Sequence, residues 1–359
     1  MRILFALPGF HRYDRGAEIA LMAVASELAR SGDDVTLIGA GDPRPDTPYR
    51  YIQAPAVRRE RFEAFPSFPA FRNNTAYEEA TFAPGLAMRF RPSDYDLTVT
   101  CAYPFTNWTL RRPVLGNRPR HVFVTQNGDW PAYSRSSEYR FFGCDGLVCI
   151  NPDYFERNRE RWNSALIPNG MDPARFSPGP ATREAFGLPA GKLVVLMVSA
   201  LIPSKRVDVG IRAVAQMPDV HLVDAGDGPM REEIDRLAND LMPGRFSRIS
   251  VKPEQMPSLY RSADVFLHLS KDESFGNVYV EAMACGLPVV AHDWPRTRWI
   301  VGDDEFLADS DDQNALVTAI RSALDANGAG RDARLDRAKR FAWGNIAAQY
   351  RDFFSTLIR

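Results

Sequence analysis

Apolar and polar positions run through this chain in two rounds of the same order. Ile3 to Leu7 is a short unbroken apolar run, the pattern of a strand covered on both faces. Leu21, Val24, Ala25 and Leu28 then recur at i, i+3, i+4 and i+7, which predicts a helix burying one stripe. Gly32 stops that helix and Val35 to Ile38 starts the next strand. The order returns near residue 193: a strand over Leu193 to Val198, a helix over Val207 to Gln216, a strand over Val220 to Val223, then the turn Gly226-Asp227-Gly228-Pro229. Strands alternating with helices predict parallel sheets, and two dissimilar starts predict two α/β domains.

Between the rounds lies Pro168-Asn169-Gly170-Met171-Asp172-Pro173, followed by Ser177-Pro178-Gly179-Pro180, a breaker-rich stretch suited to a linker. We place the boundary there, giving domains over 1–170 and 171–342. A last helix, about 343–359, carries Ile346, Tyr350, Phe353 and Leu357 on one face and is expected to pack back on the first domain. The length of 359 residues fits this division, since domains of about 150 residues would number about 2.4.

Charge narrows the function classes. The chain holds 44 basic and 45 acidic residues, a net charge of −1, so a polycationic nucleic-acid surface is excluded and any anionic partner needs a local site. Only five of the basic residues are lysines, at 192, 205, 252, 271 and 339, which makes each worth inspecting. Four cysteines without a CxxC pair and five scattered histidines predict neither a zinc site nor a disulfide framework. The most apolar stretch, Leu193 to Ile202, is about half the roughly 20 residues a membrane span needs. The N-terminus has too short an apolar stretch for a signal peptide, so a cytoplasmic address is expected, with peripheral membrane contact left open.

In open α/β sheets ligands sit beyond the carboxyl ends of the strands, and two such domains facing each other create a cleft there. The unusual residues fall at those ends. After the first strand come Pro8-Gly9 and then Gly16-Ala17-Glu18, where free amides and the positive helix end suit phosphate; a Gly that merely relieves a turn is the alternative. After the strand ending near Ser199, Lys205 and Arg206 stand at a helix start. Two cations there oppose the dipole unless an anion is shared, which points to bound phosphate over a solvated pair. Glu273 lies in the loop before the next helix and Glu281 about one turn inside it. Carboxylates at those two depths suit vicinal hydroxyls of a sugar and a ribose, or else a dipole partner and a surface charge. The segment 58–72 interleaves Arg58, Arg59, Arg61 and Arg72 with Phe62, Phe65, Phe68 and Phe71. It reads as a grip for an anionic acceptor or membrane face, or as a lid folded on its own domain.

Taken together, Glu273-x7-Glu281, the run Glu281-Ala-Met-Ala-Cys-Gly-Leu-Pro-Val-Val, Ile167-Pro-Asn-Gly-Met-Asp-Pro-Ala-Arg-Phe, Ala225-Gly-Asp-Gly-Pro and the Lys205 loop resemble glycosyltransferase family 4. The resemblance implies a GT-B fold of two Rossmann-like domains, with the acceptor on the first and a nucleotide-sugar donor on the second. It implies that Lys205 and the loop at Gly16 meet the donor diphosphate, that Glu281 holds the ribose and Glu273 the transferred sugar, and that the backbone from Phe275 through Gly276 and Asn277 to Val278 cradles sugar and phosphate. It further implies retention of anomeric configuration, no cofactor beyond the donor and no metal. Two departures stand out. Ser199-Ala200 replace the family's Gly-Arg pair, leaving Arg206 to supply the second cation. The family's histidine after the fourth N-terminal strand is missing from Gln126-Asn127-Gly128-Asp129-Trp130, which leaves Asp129 or Asn127 to orient sugar or acceptor. A nucleotide-sugar epimerase and a carbohydrate-binding protein with a decayed site are the rivals; the absence of GxGxxG argues against a nicotinamide enzyme.

Overall fold

The computed structural model describes every residue except 113, 114, 117, 327 and 359. Its contacts divide the chain into two units, Met1–Asn169 with Trp343–Arg359, and Gly170–Ala342. The first unit holds strands β1 (Arg2–Ala6), β2 (Asp34–Gly39), β3 (Arg50–Gln53), β4 (Leu97–Thr100), β5 (Arg120–Val124), β6 (Gly146–Cys149) and β7 (Ser164–Leu166). They form one parallel sheet in the order β3-β2-β1-β4-β5-β6-β7. The second holds β8 (Leu193–Val198), β9 (Val220–Ala225), β10 (Phe246–Ile249), β11 (Val265–His268), β12 (Val289–His292) and β13 (Phe306–Ala308), parallel in the order β10-β9-β8-β11-β12-β13.

Both sheets are doubly wound, and each reverses its strand order beside its first strand: between β1 and β4, and between β8 and β11. Loops diverge at such a reversal and leave a crevice beyond the strand ends. In the second unit Val195, Met197, Leu222 and Leu267 on the sheet meet Ile211, Ile234, Leu316 and Ile320 from helices on one face, all buried. That interior sets the loops after β8 and β11 on rigid strands.

The Trp343–Ile358 helix belongs to the first unit, where it lies against the Gly16–Arg30 helix. Its buried face is Ile346, Tyr350, Phe354 and Leu357, with Arg351 Nε 3.2 Å from Asp33 Oδ2. Phe354 is fully buried, while Phe353, which the 3.6-residue period also sets on this side, is half-buried with its ring against Gly146. Among the described residues no helix is long and apolar enough to cross a membrane.

Candidate functional site

In the second unit the site begins with the loop after β8. Gly226 and Gly228 lie so close to this loop that a Cβ at Gly226 would stand 1.8 Å from the Ser199 carbonyl oxygen. Leu201 N–H donates to Asp227 O at 3.0 Å and Met230 N–H to Leu201 O at 3.1 Å, which fixes the segment leading to Lys205. The Lys205 ammonium ion-pairs with Glu273 Oε1, and His268, at the end of β11, donates its Nε2 hydrogen to the same oxygen at 2.9 Å. His268 is buried, its ring edge-on to Tyr279 at 5.0 Å between centroids. Burial alone would raise the Glu273 carboxyl, but the hydrogen bond and charge of His268, then Lys205, bring it down to about 2.

Glu273 leads into the Asn277–Ala284 helix through Gly276, whose φ of +81° is left-handed. A side chain there would also meet the Tyr279 ring at 2.7 Å, so the turn requires glycine. The turn presents the first amides of the helix, which have no partner within it. Phe275 anchors the turn from below, buried against Trp299 and Phe341 at centroid distances of 6.2 and 5.6 Å. Asn277 and Val278 are half-buried at the helix start, and the Asn277 Oδ1 is buried without a hydrogen-bond partner. Further along, Glu281 is half-buried and accepts the Tyr260 hydroxyl at 2.9 Å; burial pushes its carboxyl up, against that hydrogen bond. Arg296 donates to the Glu273 backbone carbonyl and stacks over Trp294 at 5.1 Å.

The dipole conflict read from Lys205-Arg206 is resolved by protein carboxylates. Lys205 holds Glu273, and Arg206 Nη2 reaches Asp311 Oδ1 at 2.6 Å and the Ser310 carbonyl at 3.1 Å.

The first unit carries a cavity of about 770 Å³ beyond the ends of β1, β4 and β5, lined by Gly9, Gly16, Glu18, Glu79, Tyr103, Gln126, Asn127 and Trp130 among others. Gly16 opens the Gly16–Arg30 helix without a side-chain cap. Burial raises the carboxyl of Glu18 to about 7 and that of Glu79 to about 8. Asp129 does not line this cavity. Its carboxylate is buried, accepting Asn158 Nδ2 at 2.8 Å with Arg157 Nη1 at 3.4 Å from the other oxygen. The carboxylate thereby ties the turn after β5 to the Pro152–Asn158 helix, while Gln126 and Asn127 face the opening. The segment 58–72 contributes Arg59, Ala70 and Arg72 to the same wall; Phe62, Phe65, Phe68 and Phe71 gather round Tyr77, yet Phe65 and Phe68 remain 52% and 48% exposed.

Sequence reading missed His268, Tyr260 and the cavity acids Glu18 and Glu79. A histidine and a tyrosine beside apolar strands look like ordinary core residues, and nothing local tells that they face a carboxylate.

Two parallel, doubly wound Rossmann-like units define a GT-B protein. Residues 15–175 match the model of Glycosyltransferase Family 4 and residues 180–341 that of Glycosyl transferases group 1. The chain belongs to glycosyltransferase family 4. It is 34% identical over 203 residues to the D-inositol 3-phosphate glycosyltransferase of Mycolicibacterium smegmatis, covering 52% of this chain and 46% of that one. It is 35% identical over 179 residues to the same organism's GDP-mannose-dependent alpha-(1-6)-phosphatidylinositol monomannoside mannosyltransferase, covering 44% and 46%. The chain spans about half the length of the curated relatives it matches. Sucrose-phosphate synthase from Thermosynechococcus elongatus shares the fold with a TM-score of 0.78 at 22% identity, over 99% of this chain and 100% of that one. Anabaena HepE, solved with UDP and glucose, does so at 0.72 and 20%, over 99% and 100%.

Proposed function

We propose that the protein moves a sugar from a nucleotide-diphosphate sugar to an acceptor hydroxyl with retention of configuration. The donor lies on the second unit and the acceptor in the cavity of the first. The cluster of Lys205, Glu273 and His268 beside the Gly276 turn carries this reading: a cation, a carboxylate and uncapped helix amides meet where a doubly wound sheet takes ligands. The relatives' names support the class, one of them specifying GDP-mannose, as does the UDP and glucose held by HepE.

In this scheme donor phosphate draws Lys205 away from Glu273, and the freed carboxylate takes hydroxyls of the transferred sugar. The amides of Phe275 to Val278 line the phosphate side, Glu281 accepts the ribose hydroxyls, and the helix start at Gly16 is the first unit's contribution to anion binding. The bond from the anomeric carbon to the phosphate oxygen breaks first, giving an oxocarbenium-like sugar. The acceptor oxygen then bonds to that carbon on the same face, and its proton passes to a phosphate oxygen of the departing nucleotide. Lys205, Arg206 and helix amides stabilise the charge that develops there, so chelation of metal leaves the rate unchanged. Acceptor hydroxyls meet Glu79, Glu18, Gln126 and Asn127, and the exposed Phe65 and Phe68 with Arg58 and Arg61 bring the cavity rim against a membrane or the apolar part of an acceptor.

The test is product analysis. Nucleotide sugar with an acceptor panel should give a glycoside whose anomeric configuration, read by NMR coupling constants, matches the donor. Glu281→Ala should raise the donor dissociation constant about tenfold through a lost charged hydrogen bond. Isomerised donor without transfer, or an inverted product, contradicts the scheme.

A further inference from the structure

The loops after β8 and β11 deliver three cations, and the scheme above uses two. Lys271, the third, ion-pairs with Asp311 Oδ2, while Arg206 binds Asp311 Oδ1 at 2.6 Å. These loops rise from strands that pair directly, Val265 opposite Val195 and Phe266 opposite Leu196, at the reversal of strand order. Arg206 reaches Asp311 from a left-handed backbone, φ 56°, which a residue with a Cβ adopts at a cost and which clusters at functional sites. Asp311 comes from another loop, between β13 and the Gln313–Asp325 helix, and its side chain is 62% exposed. Two cations at the place where such a sheet takes ligands thus already hold an oxyanion, one whose own side chain is largely open to water, where ion pairs are weak. A phosphate brings more charge and more acceptor oxygens than a carboxylate and displaces it.

We propose that Lys271 binds donor phosphate together with Arg206, and that Asp311 occupies their oxyanion position in the free protein and leaves it when phosphate enters. The inference rests on the nucleotide-sugar reading. It makes Asp311 an internal competitor, so removing its charge strengthens phosphate binding, and it makes Lys271 useful to the ligand even when Asp311 is gone.

Calorimetric titration of the full chain with inorganic pyrophosphate, UDP and GDP tests both halves. Asp311→Asn should bind pyrophosphate about three- to tenfold more tightly, and Lys271→Gln should weaken it about fivefold in the natural background and in the Asp311→Asn background alike. Unchanged or weaker binding by Asp311→Asn overturns the inference, as does a Lys271→Gln effect that vanishes once Asp311 is neutral, because Lys271 would then serve only to hold Asp311. Failure of the natural chain and every variant to bind all three compounds would instead bring down the donor reading itself.

Discussion

At the scale of single residues, burial decides what each carboxyl can do. Glu273 and Glu281 lie eight positions apart, yet their acidities move in opposite directions. His268 and Lys205 hold Glu273 ionised, whereas Glu281 accepts from the neutral hydroxyl of Tyr260. Asp224, at the end of β9, is the extreme case: it is fully buried, neither oxygen has a hydrogen-bond partner, and burial raises it from 3.8 to about 7. A folded-state value above the unfolded one means that protonation favours folding. The contribution is complete below pH 3.8 and disappears as pH rises through about 7. Denaturant titrations across that window should show the natural chain losing about 4 kcal/mol relative to Asp224→Asn. Parallel pH profiles would show that Asp224 has found a partner in solution.

At the scale of elements, the strands and the carboxyl ends where chemistry gathers are legible in the sequence, because apolar runs and helical stripes are local signals. Lys205, Glu273 and Glu281 are legible for the same reason, as each sits at a readable strand-to-helix junction. The partners are not. His268 meets Glu273 across a loop, Tyr260 meets Glu281 from another helix, and Asp311 meets Arg206 across 105 residues of chain. The surroundings of Asp129 are hidden for the same reason: its neighbours in sequence border the cavity while its own carboxylate accepts from Asn158. The Gly276 turn offers a local test. Gly276→Ala should cost about 1–2 kcal/mol from the left-handed backbone, with the Tyr279 contact adding to it, and should weaken donor binding through displaced amides. Unaltered stability would mean that the turn has another conformation. The segment 58–72 gives a second test. Flotation with phosphatidylglycerol vesicles should carry the natural chain and leave Phe65→Ser/Phe68→Ser behind; a natural chain that stays down confines the segment to lining the cavity.

For the whole molecule, two units of one architecture carry different chemistry. The first offers a roomy cavity with weakly acidic carboxyls, the second a cluster of cations and carboxylates held against one another. A near-neutral net charge accommodates both, since the proposed anion site is local. On the proposed function, this cluster binds a nucleotide-diphosphate sugar through Lys205. The most direct measurement is thermal unfolding of the natural chain and of Lys205→Glu against a panel of UDP, GDP and ADP sugars. One donor at a hundred times its dissociation constant should stabilise the natural chain by about 2.7 kcal/mol and leave Lys205→Glu nearly unmoved. No shift with any donor, or an equal shift in the variant, would contradict the account.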